Sequence, residues 1–182
     1  MAAVLKHKIS GLFPAKVREV ERVKKGCNLN NGISIALIFV DRDEKYLNAK
    51  KKYLQSLKGD HGVREAVILT YVDEFEKDVP SHLSKLKELD YFTREDLNWR
   101  QKPISVLDSF CKKRYDILLD LTVEECAPLS HVMANSLAGL KVCRKGSQNQ
   151  EFADIIVDIE EQNSEQDFLL QTKQMLSKLS FN

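Results

Sequence analysis

The segment "GISIALIFVDRDEKYLNAKKKYLQSLKG", residues 32–59, constrains the fold more than any other part of the chain. Ile33 to Val40 is an almost unbroken apolar run of strand length, as expected for a strand covered on both faces of a parallel sheet. The period then changes: Tyr46, Leu47, Lys50, Tyr53, Leu54 and Leu57 share one helical stripe on which Lys50 is the only charge. Asp41 or Asp43 suits the helix N-cap, and Gly59 supplies a stop. "REAVILTYVD", residues 64–73, reads as the next strand, so the three pieces make a right-handed crossover unit.

The same alternation continues. A helix opening at Pro103 puts Val106, Leu107, Phe110 and Cys111 on one face and leads into the strand "RYDILLDLT", residues 114–122. Pro128 opens a helix carrying Leu129, Val132, Met133 and Leu137, with Gly139 placed to end it. "LKVC" and "ADIIVDI" are the last strands. Ser164 and Asp167 resemble a capping box before a helix that buries Phe168, Leu169, Thr172, Met175, Leu176 and Leu179. "FPAKVREVERVKKG" reads as a basic helix from Pro14 to about Lys25, with Val17, Val20 and Val23 as a narrow stripe. The expected fold is a doubly wound, Rossmann-like α/β sandwich of about five or six mostly parallel strands: a basic helical segment over 1–25 and a single α/β domain over 26–182. At 182 residues the chain can bury a core without staples.

Cys27, Cys111, Cys126 and Cys143 form neither a CxxC pair nor a Cys/His cluster, so reduced, packed thiols without zinc or disulfides are expected. "MAAVLKHKIS" lacks the apolar core of a secretory signal, and no apolar run reaches membrane-spanning length; a soluble, cytoplasmic protein is expected. Residues 1–25 carry seven Lys/Arg against two Glu, and residues 147–182 carry seven Asp/Glu against two Lys. The basic arm has one aromatic, Phe13, and is diluted by Glu19 and Glu21. It therefore predicts no specific nucleic-acid binding and only weak, peripheral contact with anionic surfaces, and its deletion is expected to leave the core folded.

In an open α/β sheet, ligands sit beyond the carboxyl ends of the strands. Here those ends read "DRDEKY", "DEFEKD" and "DLTVEE". Carboxylates at the first turn would cap the helix themselves and repel a pyrophosphate, and the chain contains no GxGxxG, GxxxxGK[ST] or GxSxG. Asp41, Asp43, Asp73 and Asp120 could in principle offer oxygen ligands to a divalent metal, but Asp is an ordinary helix cap at such turns, and no metal or cofactor is assigned. Asp120 lies inside an apolar run, where a charge needs partners, and is expected to accept backbone hydrogen bonds from a neighbouring loop. His131 reads as a hydrogen-bonded structural histidine; His7, His61 and His82 have no nucleophile-like neighbour, and no catalytic triad can be nominated. In "DYFTREDLNWRQKP", Trp99 is expected either to anchor a structured loop over the strand ends, with Asp96 and Asn98 bonding its turns, or to plug the edge of the core. Such a loop would also wall a cleft. The ligand-cleft candidates are Asp41, Asp43, Asp73, Asn98, Trp99, Asp120 and Thr122, for an unknown small molecule or protein.

The phrases "YFTREDLNWRQKP", "YDILLDLT" and "PLSHVMANSLAGLKV" resemble an uncharacterised family of small proteins from Bacteroidetes-type bacteria. Phe92, Asp96, Leu97, Asn98, Trp99 and Pro103 carry the first phrase, and Tyr115, Asp116, Ile117, Leu118, Asp120 and Leu121 the second. Cys143 stands where that pattern leads one to expect a glycine. More distantly, "RYDILLDLT" is similar to a strand in the N-terminal, acceptor-side domain of heptosyltransferase-like glycosyltransferases, which need a second Rossmann domain that is not expected within 182 residues. Two functions follow as expectations: a non-enzymatic binding or interaction module, or a relic or subunit related to that acceptor-side domain.

Overall fold

The computed structural model describes residues 17–31, 34–83, 88–158 and 165–180. Six strands form one all-parallel sheet: β1 (Ser34–Val40), β2 (Glu65–Tyr71), β3 (Leu89–Phe92), β4 (Ile117–Asp120), β5 (Leu140–Arg144) and β6 (Ile155–Val157). Their order is β3-β2-β1-β4-β5-β6. The order therefore reverses between β1 and β4, where Ile35 pairs with Ile117 and Ile38 with Asp120. Helices α1 (Glu44–His61), α2 (Ile104–Ser109), α3 (Ala127–Asn135) and α4 (Glu165–Lys178) cover the sheet.

Side-chain parity along the buried strands builds two cores. Ile35, Leu37 and Phe39 of β1 join Leu47, Leu54 and Leu57 of α1 and Phe168 and Leu176 of α4. Ala36 and Ile38 point the other way, to Val106 of α2 and Leu129, Val132 and Met133 of α3. This two-sided burial is why the strands are apolar at nearly every position. Among the described residues, no helix is long and apolar enough to cross a membrane.

Two boundaries differ from expectation. Helix α1 runs through Gly59 and stops at Gly62, whose left-handed φ of 68° lets its N–H reach the Lys58 carbonyl. Helix α3 ends at Asn135, and Gly139 instead opens β5 at a close approach, where a Cβ would lie 2.9 Å from Lys25 Cβ. Strand β3, formed by "LDYF", has no separate signal in the sequence pattern. Ser164, expected in a capping box, lies outside the described residues.

The larger correction concerns the N-terminus. Residues 14–16 lie outside the described residues, and Val17–Lys25 is not helical. It runs as an irregular strap, with Val20 N–H donating to Ala134 O at 3.0 Å and Lys25 N–H to Gly139 O at 3.0 Å. The Arg22 side chain is only 2% exposed and donates to the Ala138 and Gly139 carbonyls and to Asp154 at 2.6 Å. Glu19 accepts from Arg22 at 3.1 Å and from the fully buried Lys141 at 3.0 Å. A helix over these residues would direct the backbone donors inward along itself; tertiary hydrogen bonds and one buried guanidinium win instead. Burial lowers the Lys141 ammonium from its ordinary range, and Glu19 opposes that shift.

Candidate functional site

The candidate surface is the carboxyl end of the sheet, centred on the reversal between β1 and β4. Directly after β1, Asp41 donates its N–H to Tyr71 O at 2.8 Å, and its carboxylate lies 3.2 Å from His82 Nε2. The Asp41 side chain is 3% exposed. Burial raises its carboxyl above the ordinary range while His82 pulls it back. Asp43 caps α1, accepting from Tyr46 N–H at 2.7 Å, the ordinary role of aspartate at such a turn. Between these two, Arg42 reaches across the reversal to Glu124 at 2.7 Å, tying the β1 and β4 loops together. Its guanidinium also lies 5.0 Å from the centroid of the Tyr46 ring, against which Lys50 Nζ rests at 3.7 Å.

After β2, Asp73 accepts from Tyr71 Oη and from Arg94 Nε, each at 2.8 Å, joining the β2 and β3 loops. At the end of β4 the fully buried Asp120 accepts from Thr122 N–H at 2.9 Å, Asn149 Nδ2 at 2.7 Å and Ser147 Oγ at 3.2 Å. It holds the β5–β6 loop as a buried acceptor, mostly through side chains rather than the backbone donors expected. Burial raises its carboxyl, and these hydrogen bonds act against the rise. Thr122 is itself buried and supplies the backbone donor.

The loop after β3 opens with Asp96 accepting from Thr93 N–H at 2.8 Å. Asn98 Oδ1 then accepts from Arg100 N–H at 2.9 Å and Lys102 N–H at 3.0 Å, as the sequence predicts. Trp99 is neither anchor nor core plug: it is 80% exposed, with the Arg100 guanidinium 4.4 Å from its ring. The reason is local. The Asn98 side chain closes a turn with residue 99 at its tip, while Leu97 packs against the core and bridges to the buried Pro103. His131 of α3 is mostly buried and bonds the Arg100 backbone, which makes it structural as expected; burial lowers its imidazole below the ordinary range.

Sequence reasoning missed His82, Ser147 and Asn149 as partners of Asp41 and Asp120, because short polar loops carry no periodic signal. It also missed the outward-facing residues of this end: Phe75 in the β2 loop, Ile104 at the first turn of α2 and Val123 in the β4 loop are 42%, 47% and 49% exposed. Among the described residues, no three His, Cys, Asp or Glu side chains converge to hold a metal ion.

The model of a family described as "Family of unknown function (DUF6913)" matches residues 5–179. The chain belongs to the DUF6913 family. No curated protein matches this DUF6913 chain. Its fold is similar to the solved structure of E. coli heptosyltransferase WaaC with ADP, at 14% identity and a TM-score of 0.51. That likeness covers 80% of the DUF6913 chain and 48% of the heptosyltransferase, so the chain spans about half of that structure's length. At such identity the likeness shows a shared α/β arrangement alone.

Proposed function

We propose that this DUF6913 protein is a non-enzymatic binding module that works through the carboxyl-end face of its sheet, with the seven candidate residues building that face. One observation carries the reading: the chemistry-bearing side chains at the strand ends are spent on one another, while the apolar side chains of the same loops turn outward. Asp41 holds His82, Arg42 holds Glu124, Asp73 holds Arg94, and Asp120 holds Asn149. A nucleotide would have to displace the Arg42–Glu124 pair and approach carboxylates where other folds of this kind offer bare backbone N–H groups. Exposed aromatic side chains with arginines stacked on them are the residue types that anchor interfaces. A reducing compartment such as a bacterial cytoplasm suits the four free, buried thiols.

A second reading, kinship with the acceptor-side half of a glycosyltransferase, draws on the likeness to the heptosyltransferase. The two separate in a thermal-shift panel of ADP, nucleotide sugars and divalent cations. A ligand at 100 times its dissociation constant stabilises by about 2.7 kcal/mol. The binding-module reading expects no such response. A saturable rise with a nucleotide sugar, lost on changing Asp41 or Arg42, favours the second reading and overturns the first.

A further inference from the structure

Four of the eight large apolar side chains exposed among the described residues, Phe75, Trp99, Ile104 and Val123, belong to the carboxyl end of the sheet. The β2 and β3 loops among them are tied together. Strands β2 and β3 are paired, and Arg94 of the β3 loop donates its N–H to Glu74 O at 3.1 Å and stacks 5.9 Å from the Phe75 ring. Val123 follows β4, two strands away from β2, which places its loop about 10 Å from that of Phe75 at the usual strand spacing. That is close to two turns of an α-helix, the spacing of apolar residues i and i+7 on one helical face.

The rim around these knobs is acidic. Over residues 41–45, 73–78, 94–100 and 122–125 the exposed acids outnumber the exposed bases about two to one, and the surplus persists when the Arg42–Glu124 and Arg94–Asp73 pairs are set aside. Nucleic acid and anionic lipid are disfavoured by that sign. Resting on the binding-module reading, we propose that this face docks a cationic amphipathic helix of a partner protein, with Trp99 and Phe75 as apolar anchors and the acidic loops receiving its lysines or arginines.

The sole tryptophan reports on this directly. Trp99 emission of the full chain is titrated with a tryptophan-free amphipathic Leu/Lys peptide and, in parallel, a Leu/Glu peptide of equal length and apolar content. The expected result is a saturable blue shift with the Leu/Lys peptide alone, weakened at least tenfold between 50 and 500 mM salt because the contact is charge-steered. It should also weaken at least tenfold in a Glu74→Lys/Glu125→Lys variant whose melting is unchanged. Equal or tighter binding of the Leu/Glu peptide overturns the partner class and leaves the docking face standing. Leu/Lys binding indifferent to salt and to the Glu74/Glu125 change overturns the proposal as non-specific. An emission change on dilution without peptide assigns the face to a second copy and also overturns it. Silence with both peptides overturns it too, and the nucleotide-sugar panel then decides whether the binding-module reading falls with it.

Discussion

The side-chain amide of Asn149 donates to Oδ2 of Asp120 at 2.7 Å, and neither residue is more than 1% exposed. One carboxylate at the end of β4 therefore holds the loop between β5 and β6, with Ser147 and Thr122 completing its shell. Asp120→Asn keeps the shape but turns an amide N–H toward donors. The substitution should destabilise by about 1–3 kcal/mol in urea melts, with Trp99 emission altered only on unfolding. Because burial raises the Asp120 carboxyl, the folded chain holds a proton that the unfolded chain has released just above the ordinary aspartate range. Asp120 thus lowers stability as pH rises through that window, and Asp120→Asn should remove this part of the slope. A shifted native emission would place Asp120 in the same cleft as Trp99 instead.

Arg22 should matter out of proportion to its place in a short irregular strap. Its guanidinium is buried against Asp154 and two carbonyls, so Arg22→Ala should cost about 3–5 kcal/mol, whereas Arg18→Ala, on the exposed side, should stay within about 0.5 kcal/mol. Deleting residues 1–25 removes Glu19 as well and leaves Lys141 buried without it, so the truncated chain should melt well below the parent. Equilibrium denaturation of the three variants checks this, and a loss below about 1 kcal/mol for Arg22→Ala would count against the strap as an integral part of the fold.

How much was legible in the sequence follows from where the physics is local. The apolar run Ile35–Val40 had to be a two-sided strand, and the stripe through Leu47, Leu54 and Leu57 had to be a helix. An aspartate cap, at Asp41 or Asp43, and the turn closed by Asn98 followed from side chains that bond their own neighbouring backbone, and the structure selects Asp43. Trp99 and the strap were not legible, because an apolar side chain at a turn tip and a valine stripe at helical spacing look like core until tertiary partners are known. For the strap, those partners are Ala134 and Gly139, more than 100 residues away. The same holds for Asp120, whose need for partners was evident while Ser147 and Asn149 were not.

Lys50 makes a pH prediction. It is fully buried against Tyr46 and Phe39, and burial lowers its ammonium from the ordinary 10.5 to about 7. Between those values the unfolded chain binds a proton that the folded chain does not, so this residue adds stability as pH rises from about 7 to 10.5. Lys50→Met should therefore be most advantageous at or below pH 7, with the advantage shrinking toward pH 10.5. Paired melts of parent and variant across that range measure it; a difference independent of pH would contradict the assignment.

All four cysteines are free and buried, and burial pushes the thiols of Cys111, Cys126 and Cys143 up to about 12. Alkylation at pH 8 should be slow in the native protein and complete, at four thiols per chain, once it is denatured without reductant. Fast labelling of a native thiol, or fewer than four after denaturation, would contradict this packing.

On the proposed function, the strand-end face turns Phe75 and Trp99 outward for recognition rather than for stability. Urea denaturation of a Phe75→Ala/Trp99→Ala double variant, followed by far-ultraviolet circular dichroism, tests it most directly. The expected free energy lies within about 0.5 kcal/mol per site of the parent with an unchanged denaturant slope, as for surface substitutions that remove no buried contact. A loss above about 2 kcal/mol would instead assign these aromatic side chains to the core and leave the face without its apolar anchors.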